Sequence, residues 1–223
     1  MDSSGSLGEE GFREQKDFIK VITNTLNVSP SHSKAGVITY SDRASVAIKF
    51  SDYQYHAQLV NALDALPYQG KTTRIDRAIV KASKELMTVE GGRRKDIPGV
   101  MVIMTDGRQT QDFDVTPLEQ AAAVSEEMGV TTLVLGIGEL ANVNELRKMT
   151  ARDGDVFLAS SSRALNSFAQ PVATRICNAA GTLNCCFIRS VHFGYLPRLT
   201  TMILVISGFK CHTESIRDRK STR

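Results

Sequence analysis

Apolar residues along the chain switch repeatedly between helical spacing and unbroken or alternating runs, and this switching predicts the order of elements. In residues 9–28, Phe12, Phe18, Ile19, Ile22 and Leu26 recur at helical spacing behind an acidic start (Glu9, Glu10 and Glu14) that complements the positive end of a helix dipole. Residues 35–40 and 44–50 are rich in β-formers and are joined by Ser41, Asp42 and Arg43, as in a hairpin with a short turn. Helical spacing returns at 55–66, stops at Pro67 and resumes at 75–89, where Ile75, Ile79, Ala82 and Leu86 share a face. Residues 99–105 are a continuous apolar run bounded by turn residues, the pattern of a strand buried on both faces. After it come a helix at 116–128 with Pro117 in its first turn, a second buried-strand run at 131–137, a short helix at 143–149, a short strand at 155–158 and an amphipathic helix at 163–176.

This alternation predicts an α/β fold: a right-handed, doubly wound, mostly parallel sheet flanked by helices. Ligands in such sheets bind beyond the carboxyl ends of the strands, so candidate chemistry belongs in the loops that follow them. With 223 residues, 42% hydrophobic and 23% charged, the chain has room for one globular domain and a tail. The expected division is a folded part at 1–177 and an irregular basic tail at 178–223.

Charge sharpens that division. The net +3 is the sum of residues 1–178, with 20 Lys and Arg against 22 Asp and Glu, and residues 179–223, with 7 against 2. A mildly acidic body lacks the clustered Lys and Arg of a nucleic-acid footprint. All four cysteines, Cys177, Cys185, Cys186 and Cys211, lie at or beyond the end of the body, so its stability must come from burial. The longest apolar run, 199–209, is far below the ~20 residues that span a bilayer. The first residues lack the basic and apolar regions of a signal peptide. The expectation is no membrane span and no signal peptide in this chain.

Three loops offer hard oxygen ligands: Asp2-x-Ser4-x-Ser6 at the start, Thr72-Thr73 before the helix at Ile75, and Asp106-Gly107 after the most apolar strand. Hydroxyls and carboxylates without His or Cys suit Mg²⁺, with Mn²⁺ or Ca²⁺ as alternatives. Two carboxylates leave such an ion incompletely neutralised, so the site would accept an acidic ligand.

In this order the residues resemble the metal-ion-dependent adhesion site of von Willebrand factor type A domains, found in integrin inserted domains, matrilins and type VI collagen. The resemblance covers roughly residues 1–177. It implies that Ser4, Ser6 and Thr73 are hydroxyl ligands, with Asp2 and Asp106 binding directly or through water. Thr73 is preferred to Thr72 because Ala78 then falls at the family's spacing, and both stay open. The implied function is non-enzymatic: Mg²⁺-dependent adhesion to an extracellular matrix or collagen-like protein that presents a Glu or Asp, in a parent protein that is secreted or extracellular. The alternatives are a structural assembly module without metal-dependent binding, or a non-functional fragment.

The sequence departs from the family in one place. The family has an apolar strand immediately before D-x-S-x-S, and here only Met1 precedes Asp2. The expectation is an empty lane in mid-sheet, unpaired backbone groups at about 1–3 kcal/mol each if buried, and a natural start that lies upstream. Family members often close the domain with a disulfide, which would give Cys177 a partner in that upstream part. Several weaker patterns compete poorly. Residues 65–72 loosely match a nucleotide-binding loop but follow a helix, and Pro67 removes an amide from the anion cradle. Cys185, Cys186, His192, Cys211 and His212 lack zinc-site spacing. Asn27-Val28-Ser29 is a glycosylation acceptor pattern followed by Pro30. Asp153 and Asp155 read as a turn rather than a Ca²⁺ loop.

Overall fold

In the computed structural model, the apolar run at 99–105 is a strand buried along its whole length, and the other elements are arranged around it. The structure describes residues 1–139, 141–180 and 204–207. In chain order the elements are α1 (Gly8–Thr25), β1 (Lys34–Tyr40), β2 (Ala44–Ile48), α2 (His56–Asp64) and α3 (Ile75–Lys81), which continues through a π-helical turn at Ala82–Leu86. Then follow β3 (Gly99–Thr105), α4 (Leu118–Glu127), β4 (Val130–Ile137), α5 (Val143–Arg147), β5 (Val156–Ala159), a 3₁₀ segment at Ser162–Phe168, α6 (Ala169–Ala179) and β6 (Leu204–Ser207). The sheet order is β2-β1-β6-β3-β4-β5, with β3, β4 and β5 mutually parallel and β1 antiparallel to β2. The doubly wound α/β architecture expected from the pattern is the one the chain forms.

Alternation along the strands sorts the core into two layers. Val100, Val102 and Met104 face Phe12, Phe18, Ile22, Leu59, Leu63, Val172 and Ile176, from α1, α2 and α6. Met101 and Ile103 face Ile75, Ile79, Leu118 and Leu146, from α3, α4 and α5. Each fully buried side chain of this size contributes about 1.5–3 kcal/mol. The helix expected over 163–176 begins only at Ala169, with a 3₁₀ segment in its place before that. Pro171 accounts for the change: it is tolerated in the first turn of α6, where its missing N–H is not needed, but inside a longer helix its ring would clash with the preceding turn.

The lane between β1 and β3 is not empty, which corrects the expectation of an open gap. β6 lies antiparallel to both neighbours, pairing Ser207 with Lys34 and Gly99, and Leu204 with Val37 and Val102. Residues 1–3 continue the same lane. The Met1 ammonium donates to the Ile38 carbonyl at 2.6 Å. The Tyr40 amide donates to the Met1 carbonyl, and the Ser3 amide to the Tyr40 carbonyl, both at 2.7 Å. Met1 is fully buried, and burial holds its amino group well below the usual range. Two pieces of chain running in opposite senses thus satisfy the backbone groups that one parallel strand would otherwise pair.

Among the other expectations, Asn27 is exposed and has a positive φ of 51° at the end of α1. Cys177 is buried, while Cys185, Cys186, His192, Cys211 and His212 lie outside the described residues. Among the described residues no helix is long and apolar enough to cross a membrane.

Candidate metal centre

Because Asp2 pairs in parallel with Tyr40 at the end of β1, the chain delivers Ser4 and Ser6 to the carboxyl edge of the sheet, beside the end of β3 at Thr105 and Asp106. The loop after α2 is laid along this turn. The Gly70 amide donates to the Ser3 carbonyl and the Gly5 amide to the Lys71 carbonyl, both at 2.7 Å, and the Tyr68 hydroxyl donates to the Ser4 carbonyl at 3.0 Å. Gly70 has φ +70°, where a side chain would be strained and its Cβ would press on the Tyr68 ring. Residues 65–72 therefore hold the serine turn in place.

Side chains converge on one spot. The Ser6 hydroxyl donates to the Asp106 carboxylate, and the Ser4 and Ser6 hydroxyl oxygens are 3.1 Å apart. Asp2, fully buried, accepts from the Ser4 amide at 2.9 Å on Oδ1 and from the Thr105 hydroxyl at 3.1 Å on Oδ2. Burial pushes the Asp2 carboxyl up to about 6, with the negative charge of Asp106 adding to the rise and the hydrogen bonds from Ser4 opposing it. Thr73 is buried on the adjoining loop; its amide donates to the Thr110 hydroxyl at 3.1 Å and its carbonyl accepts from the Thr110 amide at 2.9 Å. Thr72 is exposed. The structure thus joins Ser4, Ser6 and Asp106 through hydrogen bonds, anchors Asp2 directly beneath them, and sets Thr73 on the neighbouring loop.

The donor set fits a hard divalent ion. Two mutually repelling carboxylates, one of them held high by burial, stand with two hydroxyls where a cation would be stabilised. Among the described residues no group of three or more His, Cys, Asp or Glu could hold a metal, so hydroxyl oxygen must supply part of any coordination here.

Several supporting residues escape a reading of the sequence. Thr105 bonds Asp2 and also accepts from the Gly107 amide at 3.2 Å, tying the strand end to the turn. Gln15 donates from Nε2 to the Asp2 carbonyl. A signal for Gln15 exists: it falls in phase with Phe12, Ile19 and Ile22 on the inward face of α1, where a polar residue needs a reason. Arg74, only 4% exposed, forms a two-bond pair with Asp76 and reaches Asp114 at 2.7 Å, fastening the loop after β3 to the start of α3.

The sequence model of the von Willebrand factor type A domain matches residues 1–171. The chain is 24% identical over 187 residues to von Willebrand factor A domain-containing protein 2 of Xenopus laevis, covering 83% of this chain and 23% of that protein. It is 27% identical over 179 residues to the collagen alpha-4(VI) chain of Mus musculus, covering 80% of this chain and 7% of that one. Its fold is similar to that of proximal thread matrix protein 1 from the mussel byssus, solved with a zinc-occupied MIDAS motif, at a TM-score of 0.72 and 22% identity over 79% of this chain and 46% of that one. The chain spans less than a quarter of the length of these two curated relatives.

Proposed function

The chain belongs to the von Willebrand factor type A domain family, and from that membership we propose that it is a non-enzymatic, divalent-cation-dependent protein-binding module of an extracellular matrix protein. One observation carries the reading: the hydroxyls of Ser4 and Ser6 and the carboxylate of Asp106 share one hydrogen-bonded cluster at the carboxyl edge of the sheet, above the buried Asp2. Asp2, Ser4, Ser6, Thr73 and Asp106 would hold the ion, with Mg²⁺ the first choice from the all-oxygen donor set. Bound there, the ion supplies a Lewis-acidic point that a Glu or Asp of the partner can satisfy. The chain's own contribution is positioning. Thr105 and the Ser4 amide fix Asp2, and the loop at 68–71 fixes the serine turn, so the donors are organised before a partner arrives. The two described histidines take no part, since His32 bonds Ser29 and Ser31 while His56 bonds the Lys20 carbonyl.

Calorimetry of the full chain with Mg²⁺ tests the reading: binding that Asp106→Ala abolishes supports it, and a folded chain that takes up no divalent ion overturns it. A second reading has its own support, because both oxygens of Asp2 and both serine hydroxyls already have partners within the protein. Such a self-satisfied cluster suits an assembly module that works without metal, and binding to a matrix partner that survives EDTA would favour it.

A further inference from the structure

A cavity of about 530 Å³ adjoins the proposed metal centre, sharing Ser6 and Asp106 with it and lined also by Glu14 and Arg163. Glu14 projects from α1 and is 1% exposed. Its Oε2 accepts from the Ser162 hydroxyl at 2.5 Å, while its Oε1 is buried and receives no hydrogen bond. The nearest cation, Arg163 Nε, stands 4.0 Å away, beyond hydrogen-bond distance, and its guanidinium reaches Glu10 only at 3.8 Å. Arg163 is itself more than half exposed, so it is a loosely held counter-ion. An ionised carboxylate buried with one oxygen unbonded is costly, and burial accordingly holds the Glu14 carboxyl above its usual range. Glu10, Glu139 and Arg108, all exposed, also line the cavity, two negative charges against one positive.

We infer that this cavity seats a basic side chain of the same partner whose carboxylate would complete the metal centre, so that the recognised surface carries an Arg or Lys close to its Glu or Asp. The inference rests on the proposed function above and names a second feature of the partner. A guanidinium or ammonium entering between α1 and the Ser160–Arg163 turn would donate to Glu14 Oε1 and displace Arg163 toward solvent. Specificity would come from two opposite charges at a set separation, where a lone acidic residue on the partner satisfies only one.

The test uses the full chain in Mg²⁺ and two capped peptides, Gly-Arg-Gly-Glu-Gly-Arg-Gly and Gly-Ala-Gly-Glu-Gly-Ala-Gly. The arginine peptide should bind about tenfold more tightly, the scale of one charge-assisted hydrogen bond to a buried group. Glu14→Gln, which still accepts from Ser162, should erase that advantage and leave the alanine peptide unchanged. Arg163→Ala, which removes the resident cation, should enlarge it. An advantage that is absent in the wild type, or that survives Glu14→Gln, overturns the inference. If neither peptide binds, the metal reading is left to the Mg²⁺ calorimetry above and a titration with methylguanidinium in EDTA decides the seat by itself: saturable NMR shifts at the Glu14 and Ser162 amides that Glu14→Gln removes support it, and no shifts overturn it.

Discussion

The side chains of Ser6 and Asp106, 100 positions apart in sequence, share a hydrogen bond across the carboxyl edge of the sheet. An ion bound there would couple the turn after residues 1–3 to the end of β3 and so favour the folded state over the unfolded one. Mg²⁺ at a hundred times its dissociation constant should stabilise the chain by about 2.7 kcal/mol, a rise of roughly 5–10 °C for a domain of this size. Thermal unfolding in EDTA and in Mg²⁺ measures the rise, and Asp106→Ala should flatten it.

Asp2 makes the metal-free protein sensitive to pH. Its folded value of about 6 lies above the ordinary 3.8, so its contribution to stability is full below the unfolded value and is lost as pH rises through the folded one. Above that window the buried charge costs about 3 kcal/mol. Metal-free Asp2→Asn should therefore be more stable than the wild type at neutral pH and equal to it under acid conditions, a difference readable from urea midpoints at the two pH values. Adding Mg²⁺ at neutral pH should stabilise the wild type and leave Asp2→Asn unmoved.

The pairing of Arg74 with Asp76 calls for the opposite sign. Burial would raise the Asp76 carboxyl, but the Arg74 guanidinium and the Thr116 amide outweigh it and hold the carboxyl below its usual range. This contribution is present above the unfolded value and is lost as pH falls. Asp76→Ala, which leaves Arg74 buried and short of a partner, should cost about 3–5 kcal/mol in chemical denaturation. Because Asp76 also accepts from the Thr116 amide at 3.0 Å, the loop after β3 should loosen, and faster hydrogen exchange at residues 107–116 would register it.

β6 offers a backbone test. Val205 pairs with both Gly36 and Met101, so proline there removes a donor from a strand with neighbours on both sides. Val205→Pro should destabilise the chain by about 3 kcal/mol, whereas Val205→Thr should leave the ladder standing. Circular dichroism during thermal unfolding separates the two.

The strand at 99–105 is legible to the residue because burial on both faces leaves an unbroken apolar run with sharp ends. The serine turn and Asp106 are legible as a motif. β6 is not, because four residues are too few to show a period and their place depends on a lane defined by residues 34–37 and 99–102, remote in sequence. Thr105 and Thr110 escape for a related reason. Each acts by bonding a residue far away in sequence, Thr105 to Asp2 and Thr110 to Thr73, and no local spacing announces such a pairing.

The central lane also sets the timing of folding during synthesis. Until residue 207 has left the ribosome, the described strands can form only a β1–β2 hairpin and a separate β3–β4–β5 sheet, with no strand hydrogen-bonded between them. Between the emergence of residue 159 and that of residue 207 the nascent chain carries these two half-sheets with open inner edges, the exposure that invites wrong partners. Chaperone dependence of this chain should accordingly be greatest in that interval and end as β6 is delivered.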